Sequence, residues 1–216
     1  MSYYAVKNGR KIGILDSWAD CKASVFGFKG AVYKKFNNLE DAKVYLDSKE
    51  YLSSERFNKE EDVYNALDNN CAIAYVDGSN KGDGSEFSWG VILLYKDSVG
   101  NNKKKVISGS SSDDRYVSYR NVAGEIFAST YAILNAIDLG ITEVKVYHDY
   151  SGIRHWALGE WKTKNNLSET YHLFFKSIKD KIKVQFVKVE GHTGDSFNEE
   201  VDKVAKRALG ILWNYL

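Results

Sequence analysis

Residues 71–80, CAIAYVDGSN, set six apolar residues in a row before a carboxylate, Asp77, and a polar Gly-Ser-Asn exit. A short apolar run bounded by turn residues reads as a buried strand. A carboxylate closing such a run is costly to bury without a partner. Downstream, FSWGVILLY (87–95) and KKKVISGSS (103–111) read as two more strands, joined by connections rich in Gly, Ser, Asp and Asn, which predicts an antiparallel meander. NVAGEIFASTYAILNAIDLG (121–140) has helical apolar spacing and a glycine stop. EVKVYHD (143–149) is the fourth strand, and helical segments follow at SGIRHWALGEW (151–161) and SETYHLFFKSIK (168–179). A strand at VQFVKVEG (184–191) and an amphipathic helix from about Asn198 complete the pattern. Parallel strands beyond a meander require helical crossovers, and this order supplies them. The expected fold is α/β, a mixed five-stranded sheet flanked by helices.

Four acids punctuate this pattern. Asp77 and Asp149 close strands, Glu125 lies on the apolar side of a helix, and Asp202 lies in the first turns of the last helix, ten residues after His192. If the strands carrying Asp77 and Asp149 are parallel neighbours, both acids emerge at one sheet edge. Unpaired carboxylates gathered there would repel one another. A hard divalent cation such as Mg²⁺, which takes oxygen ligands, reverses the sign.

The order Asp, Glu, Asp, Asp, with DGS at 77–79 and GHTGDSFNEEVDKVA at 191–205, resembles ribonuclease H of type 1 from about Cys71 to Leu209. The resemblance implies a ribonuclease H-like fold and a metal-dependent endoribonuclease acting on the RNA strand of RNA/DNA hybrids. Cleavage would be by two-metal-ion catalysis and leave 5′-phosphate and 3′-hydroxyl ends. It implies that Asp77, Glu125, Asp149 and Asp202 hold two Mg²⁺ ions, with Mn²⁺ an acceptable substitute, and that His192 is a mobile loop histidine assisting turnover. Ser79 and Asn80 become candidates for reading the RNA minor groove, and Asn198 for a further substrate contact. Where many family members carry a Thr-Asn-Asn-Arg type stretch that grips a DNA phosphate, this chain reads Arg120-Asn121-Val122-Ala123-Gly124. Arg120 and Asn121 are the candidates for that role. After Asp149 the chain reads Tyr150-Ser151 where Ser-Gln is frequent, which makes Ser151 the candidate 2′-hydroxyl contact.

Ahead of this region, YYAVKNGRKIGIL alternates apolar and polar residues about Asn8-Gly9, a pair suited to a two-residue hairpin turn. Asp16 or Ser17 can cap a short helix to about Val25, AVYKKF (31–36) reads as a third strand, and Asn38 can cap LEDAKVYLDSKEYL (39–52). The outcome is a small ββαβα unit. YYAVKNGRKIGI, DSWADCK and VYKKF resemble the hybrid-binding domain found at the N-terminus of many type 1 ribonucleases H, over about residues 2–47. That resemblance gives Tyr4, Trp18 and Tyr33 to the DNA strand's sugars and Lys34 and Lys35 to phosphates. Between Lys7 and Lys35 there are seven basic residues against two acids, interleaved with aromatics, as nucleic-acid contact favours. The expected layout is a hybrid-binding domain at 1–50, a linker at 51–70 and a catalytic domain at 71–216.

Charge is uneven along the chain. Residues 1–50 hold nine Lys/Arg against six Asp/Glu, whereas residues 51–70 hold two against five, consistent with a polyanion-binding N-terminal module and an acidic linker. The two cysteines, Cys21 and Cys71, lack ligand spacing and suggest reduced thiols in a cytoplasmic protein. The start MSYYAVKNGRKIG has neither a secretory pattern nor a membrane span, so no membrane is expected as a partner, and no protein partner is implied. The competing functions are a catalytically silent hybrid binder, which would need a broken carboxylate set, and a structure-specific DNA nuclease of the same fold.

Overall fold

The structure is a computed structural model, and it describes residues 2–28, 31–47, 60–189 and 196–211. The chain divides into two compact units, Met1–Leu52 and Ser53–Leu216.

The first unit holds a three-stranded antiparallel sheet of β1 (Tyr3–Asn8), β2 (Gly13–Leu15) and β3 (Val32–Phe36) in the order β2-β1-β3, with helices α1 (Trp18–Val25) and α2 (Leu39–Asp47). Ser17 caps α1 by accepting from the Asp20 N–H at 3.1 Å, and Asn38 accepts from the Glu40 N–H at 2.8 Å. Val6, Leu15, Cys21 and Val25 form its small core. The hairpin differs from the expected two-residue turn. The last β1–β2 pair is Val6 with Gly13, β1 runs on through Asn8 beside β3, and the chain turns back through residues 9–12. Tertiary hydrogen bonds override the local Asn-Gly preference. The Arg10 N–H donates to the Ser24 carbonyl, the Lys11 N–H to Ser24 Oγ, and the Arg10 guanidinium to the carbonyls of Ala23 and Phe26 at the end of α1.

The second unit is built on β4 (Cys71–Asn80), β5 (Phe87–Lys96), β6 (Asn102–Ser111), β7 (Glu143–His148) and β8 (Lys183–Lys188), in the order β6-β5-β4-β7-β8. The first three are antiparallel and β4, β7 and β8 are parallel. Helices α4 (Asn121–Asp138), α5 (Gly152–Ala157) and α6 (Asn166–Ile178) contribute to one core cluster with Ala74, Val91 and Val146. On the other face, α3 (Glu60–Asn65) and α7 (Ser196–Ala208) pack with Tyr75, Ile92 and Tyr147. Residues 51–70 have the composition of a linker, yet α3 forms there, and Val63 and Leu67 are buried beside Phe197. Val63 on α3 and Leu67 just beyond its end bury apolar area against the sheet, which recruits this stretch to the core.

Two glycine contacts set how closely the helices approach. A Cβ on Gly78 would lie 2.3 Å from the Asn121 carbonyl oxygen, and one on Gly124 would lie 2.0 Å from the Ser88 carbonyl oxygen. The absence of both side chains seats the first turns of α4 directly on β4 and β5, as a backbone approach of this kind requires. Helix α5 stops at Leu158, earlier than the pattern 151–161 predicts, where Gly159 turns to φ +66° and releases the chain.

Candidate metal centre

Pairing of β4 with β7 is parallel and ends at Tyr75 with Tyr147, so Asp77 and Asp149 each lie two residues past that last pair, at the same edge of the β4–β7 pairing. Asp77 does not end its strand as expected. Antiparallel pairing with β5 carries the backbone through Ser79 and Asn80, which face Ser88 and Phe87, so these two are strand residues rather than a turn. Glu125 comes in from α4, placed by the Gly78 and Gly124 contact. An oxygen from each of Asp77, Glu125 and Asp149 lies within 4.8 Å of the others.

Glu125 and Asp77 are desolvated acids crowded by like charge. Glu125 is 3% exposed, and its Oε2 is buried without a hydrogen-bond partner. Burial, and after it the charges of Asp149 and Asp77, push its carboxyl up to about 9. Burial and Asp149 raise Asp77 to about 7, against a hydrogen bond from the Gly78 N–H at 2.8 Å that favours the ionised form. Asp202, on α7, accepts from Lys206 Nζ at 2.8 Å. An orphaned buried oxygen amid clustered carboxylates is the donor set that a hard divalent cation satisfies.

These acids open into a cleft of about 430 Å³ lined by Asp77, Gly78, Ser79, Asn80, Asn121, Glu125, Asp149, Asn198, Glu199, Asp202, Lys203 and Lys206. The structure therefore brings eight of the sequence candidates together: Asp77, Ser79, Asn80, Asn121, Glu125, Asp149, Asn198 and Asp202. Arg120 is not in the cleft wall. It precedes α4 at φ 55°, a conformation that non-glycine residues adopt at a cost, and its side chain is exposed. Ser151 also lies outside the wall, where its hydroxyl accepts from Lys188 Nζ at 2.6 Å. His192 lies outside the described residues. Glu199, Lys203 and Lys206 were missed by the motif, although helical spacing from Asp202 puts all three on or beside its face.

His148, which precedes Asp149, is 1% exposed, and burial lowers its pKa to about 4. Its Nδ1 meets the Tyr150 carbonyl oxygen at 2.9 Å. A carbonyl only accepts, so the neutral ring carries its proton on Nδ1 and ties down the backbone just past Asp149.

In the first unit, Trp18 contacts both Tyr4 and Tyr33, with ring centroids 5.6 and 5.9 Å apart. Trp18 and Tyr33 are exposed. Lys35 is in register with Tyr4 and shares the face of Tyr33, whereas strand alternation sends Lys34 to the opposite face, its Nζ 5.6 Å from the Phe36 ring. The predicted lysine pair is thus split across the sheet.

The RNase H family model matches residues 69–210, and a model described as the Ribonuclease H1 N-terminal domain matches residues 2–46. Ribonuclease H1 of Mus musculus is 24% identical over 253 aligned positions, covering 94% of this chain and 88% of the mouse protein. Ribonuclease H of Saccharomyces cerevisiae is 51% identical over 45 residues, 21% of this chain and 13% of the yeast protein. Among solved structures, RNase H1 of the halophilic archaeon Halobacterium salinarum NRC-1 shares the fold at TM-score 0.53 and 18% identity, covering 66% of this chain and 99% of that one. The chain belongs to the RNase H family. Its second unit has the ribonuclease H-like fold, a mixed five-stranded sheet flanked by helices.

Proposed function

We propose that this protein is an endoribonuclease that hydrolyses the RNA strand of RNA/DNA hybrids and leaves 5′-phosphate and 3′-hydroxyl ends. The observation that carries the reading is the convergence of Asp77, Glu125 and Asp149 to within 4.8 Å, with Asp202 in the same cleft, in a member of the RNase H family. These four acids would hold two divalent ions, Mg²⁺ by preference. The ions, when bound, would polarise the attacking water and offset charge on the departing 3′ oxygen. The chain's own groups do the rest. Glu125 and Asp77 supply charge from a desolvated wall, and Ser79, Asn80, Asn121 and Asn198 offer neutral hydrogen-bonding groups to sugar and phosphate. His192 is assigned to assisting turnover, and Arg120 to a phosphate beyond the cleft.

Discrimination for a hybrid would rest on duplex shape and 2′-hydroxyls, not base sequence. Tyr4, Trp18, Tyr33 and Lys35 on one face of the first unit form a binding surface for the same duplex, and the tether between units would raise the local concentration of each. The buried free thiols of Cys21 and Cys71 suit a reducing compartment, and we place the protein in the cytoplasm. No described helix is long and apolar enough to cross a membrane.

The test is incubation with end-labelled RNA/DNA, RNA/RNA and DNA/DNA duplexes, each with Mg²⁺ or with chelator. Cleavage confined to the hybrid with Mg²⁺, with products that a 3′-hydroxyl-dependent polymerase extends, is expected. Cutting of DNA/DNA would favour the DNA nuclease, and binding without cutting would favour the silent binder.

A further inference from the structure

Lys188 ends β8, the strand parallel to β7, and it is the register partner of His148, the residue before Asp149. Register partners on neighbouring strands project to the same face. His148 is buried there, but the longer Lys188 side chain is exposed, and its ammonium meets Ser151 Oγ at 2.6 Å. Five other lysines of this unit are paired with acids: Lys81 with Glu86, Lys103 with Asp97, Lys104 with Glu200, Lys183 with Glu143 and Lys206 with Asp202. Among the described residues, no carboxylate lies within salt-bridge distance of Lys188, and its side chain's hydrogen bond goes to a neutral hydroxyl. A hydroxyl that accepts from an ammonium keeps its own proton to donate, so the pair presents N–H and O–H donors together with one uncompensated positive charge.

We propose that Lys188 and Ser151 form a phosphate subsite for the cleaved strand beside Asp149, at a phosphodiester neighbouring the one that is cut. This rests on the proposed hybrid-cleaving function and adds a contact to it. Ser151 then acts as a phosphate donor oriented by Lys188, a role different from the 2′-hydroxyl contact that its place in the sequence suggests.

The experiment compares full-length wild type with Lys188→Ala, Lys188→Arg and Ser151→Ala. Hybrid binding in chelator is followed across a salt series, and KM and kcat are measured with Mg²⁺. Lys188→Ala should lower the magnitude of the log–log salt slope by about 0.7–0.9, the signature of one lost phosphate contact. Its KM should rise about five- to tenfold, a modest loss for a charged hydrogen bond because the site is solvent-exposed. Lys188→Arg should restore the slope, and Ser151→Ala should raise KM about two- to threefold with the slope unchanged, since a neutral donor releases no counterion. A wild-type slope and KM in Lys188→Ala, or an arginine that fails to restore the slope, would overturn the subsite alone. Absence of hybrid cleavage by wild type would instead bring down the functional reading, and the subsite with it.

Discussion

Glu125 pairs near-complete burial with an oxygen that has no partner, and burial together with the charges of Asp149 and Asp77 outweighs the one backbone hydrogen bond, from Tyr150, that favours its charge. Removing a ligand charge with little change of shape isolates that chemistry. Asp149→Asn and Asp77→Asn should each lower turnover by at least about a thousandfold, roughly 4 kcal/mol in barrier height, while hybrid binding persists. Near-normal turnover at saturating hybrid and Mg²⁺ in either variant would remove these acids from the catalytic assignment. A pH effect follows from the same residues. Both Asp77 and Glu125 have folded-state pKa values above their ordinary ones, so the folded chain binds protons more tightly than the unfolded chain. Their stabilising contribution is complete below about pH 4 and is lost as pH rises through about 7 for Asp77 and about 9 for Glu125. In chelator, the melting temperature should fall between about pH 5 and pH 9 by at least about 2–4 °C, the equivalent of roughly 1 kcal/mol in a domain of this size. Glu125→Gln should flatten that fall, and Mg²⁺ should raise the melting temperature more at the alkaline end. A flat wild-type profile would mean that the carboxyls are better solvated than their burial implies.

Helix α4 can reach β4 only because neither contact residue has a side chain, which makes Gly124 a structural requirement of the metal centre. Gly124→Ala forces a Cβ to within 2.0 Å of the Ser88 carbonyl oxygen, a fixed backbone atom. It should cost about 3 kcal/mol or more by urea unfolding, beyond the usual range of overpacking because backbone cannot rotate away, and cleavage should fall with it. Gly82→Ala, which meets nothing within 4 Å, is the control and should stay within about 0.5 kcal/mol of wild type. Equal midpoints for the two variants would show that α4 can lift off the sheet at little cost. In the first unit, β3 separates its two lysines. Lys35→Ala should weaken hybrid binding and reduce the salt slope by about 0.7–0.9, with a smaller change for Lys34→Ala. Trp18→Ala should weaken binding with the slope intact, since a ring adds contact area but no ionic pair. A larger slope change from Lys34→Ala would relocate the binding face to the other side of the sheet.

At the scale of the whole chain, the two units invite separation, and the place of the cut matters. A fragment beginning at residue 53 keeps Val63 and Leu67, which are buried against Phe197 and its neighbours. It should fold and cleave hybrid at saturation, with a raised KM and fewer cuts per encounter at physiological salt. A fragment beginning at Asp68 loses both side chains, each worth about 1.5–3 kcal/mol when fully buried, and should be less stable by about 3 kcal/mol or more. Matching urea midpoints for the two fragments would show α3 to be dispensable. Equal KM for the first fragment and the intact chain would deny the N-terminal unit a part in substrate capture.

Much of this protein is legible along the chain because its signals are local. The apolar run ending in Asp77, the meander, the glycine-stopped helix bearing Glu125 and the ordered acids define the fold and the metal-binding chemistry from hydrophobic period and residue type alone. The split of Lys34 from Lys35 was equally available, in the two-residue period of β3. Tertiary structure alone decided the rest. Asn8-Gly9 lost its tight turn to hydrogen bonds that Arg10 and Lys11 make with Ser24, fourteen and thirteen residues away in sequence, and an acidic stretch with linker composition gave up Val63 and Leu67 to a core it could not reveal by itself. Ser151 acquired a lysine from a strand that only the parallel register brings beside it. Local period and propensity act through neighbouring residues, whereas closeness of approach, pairing and desolvation depend on what the folded chain brings against each residue, and no window of sequence contains both partners.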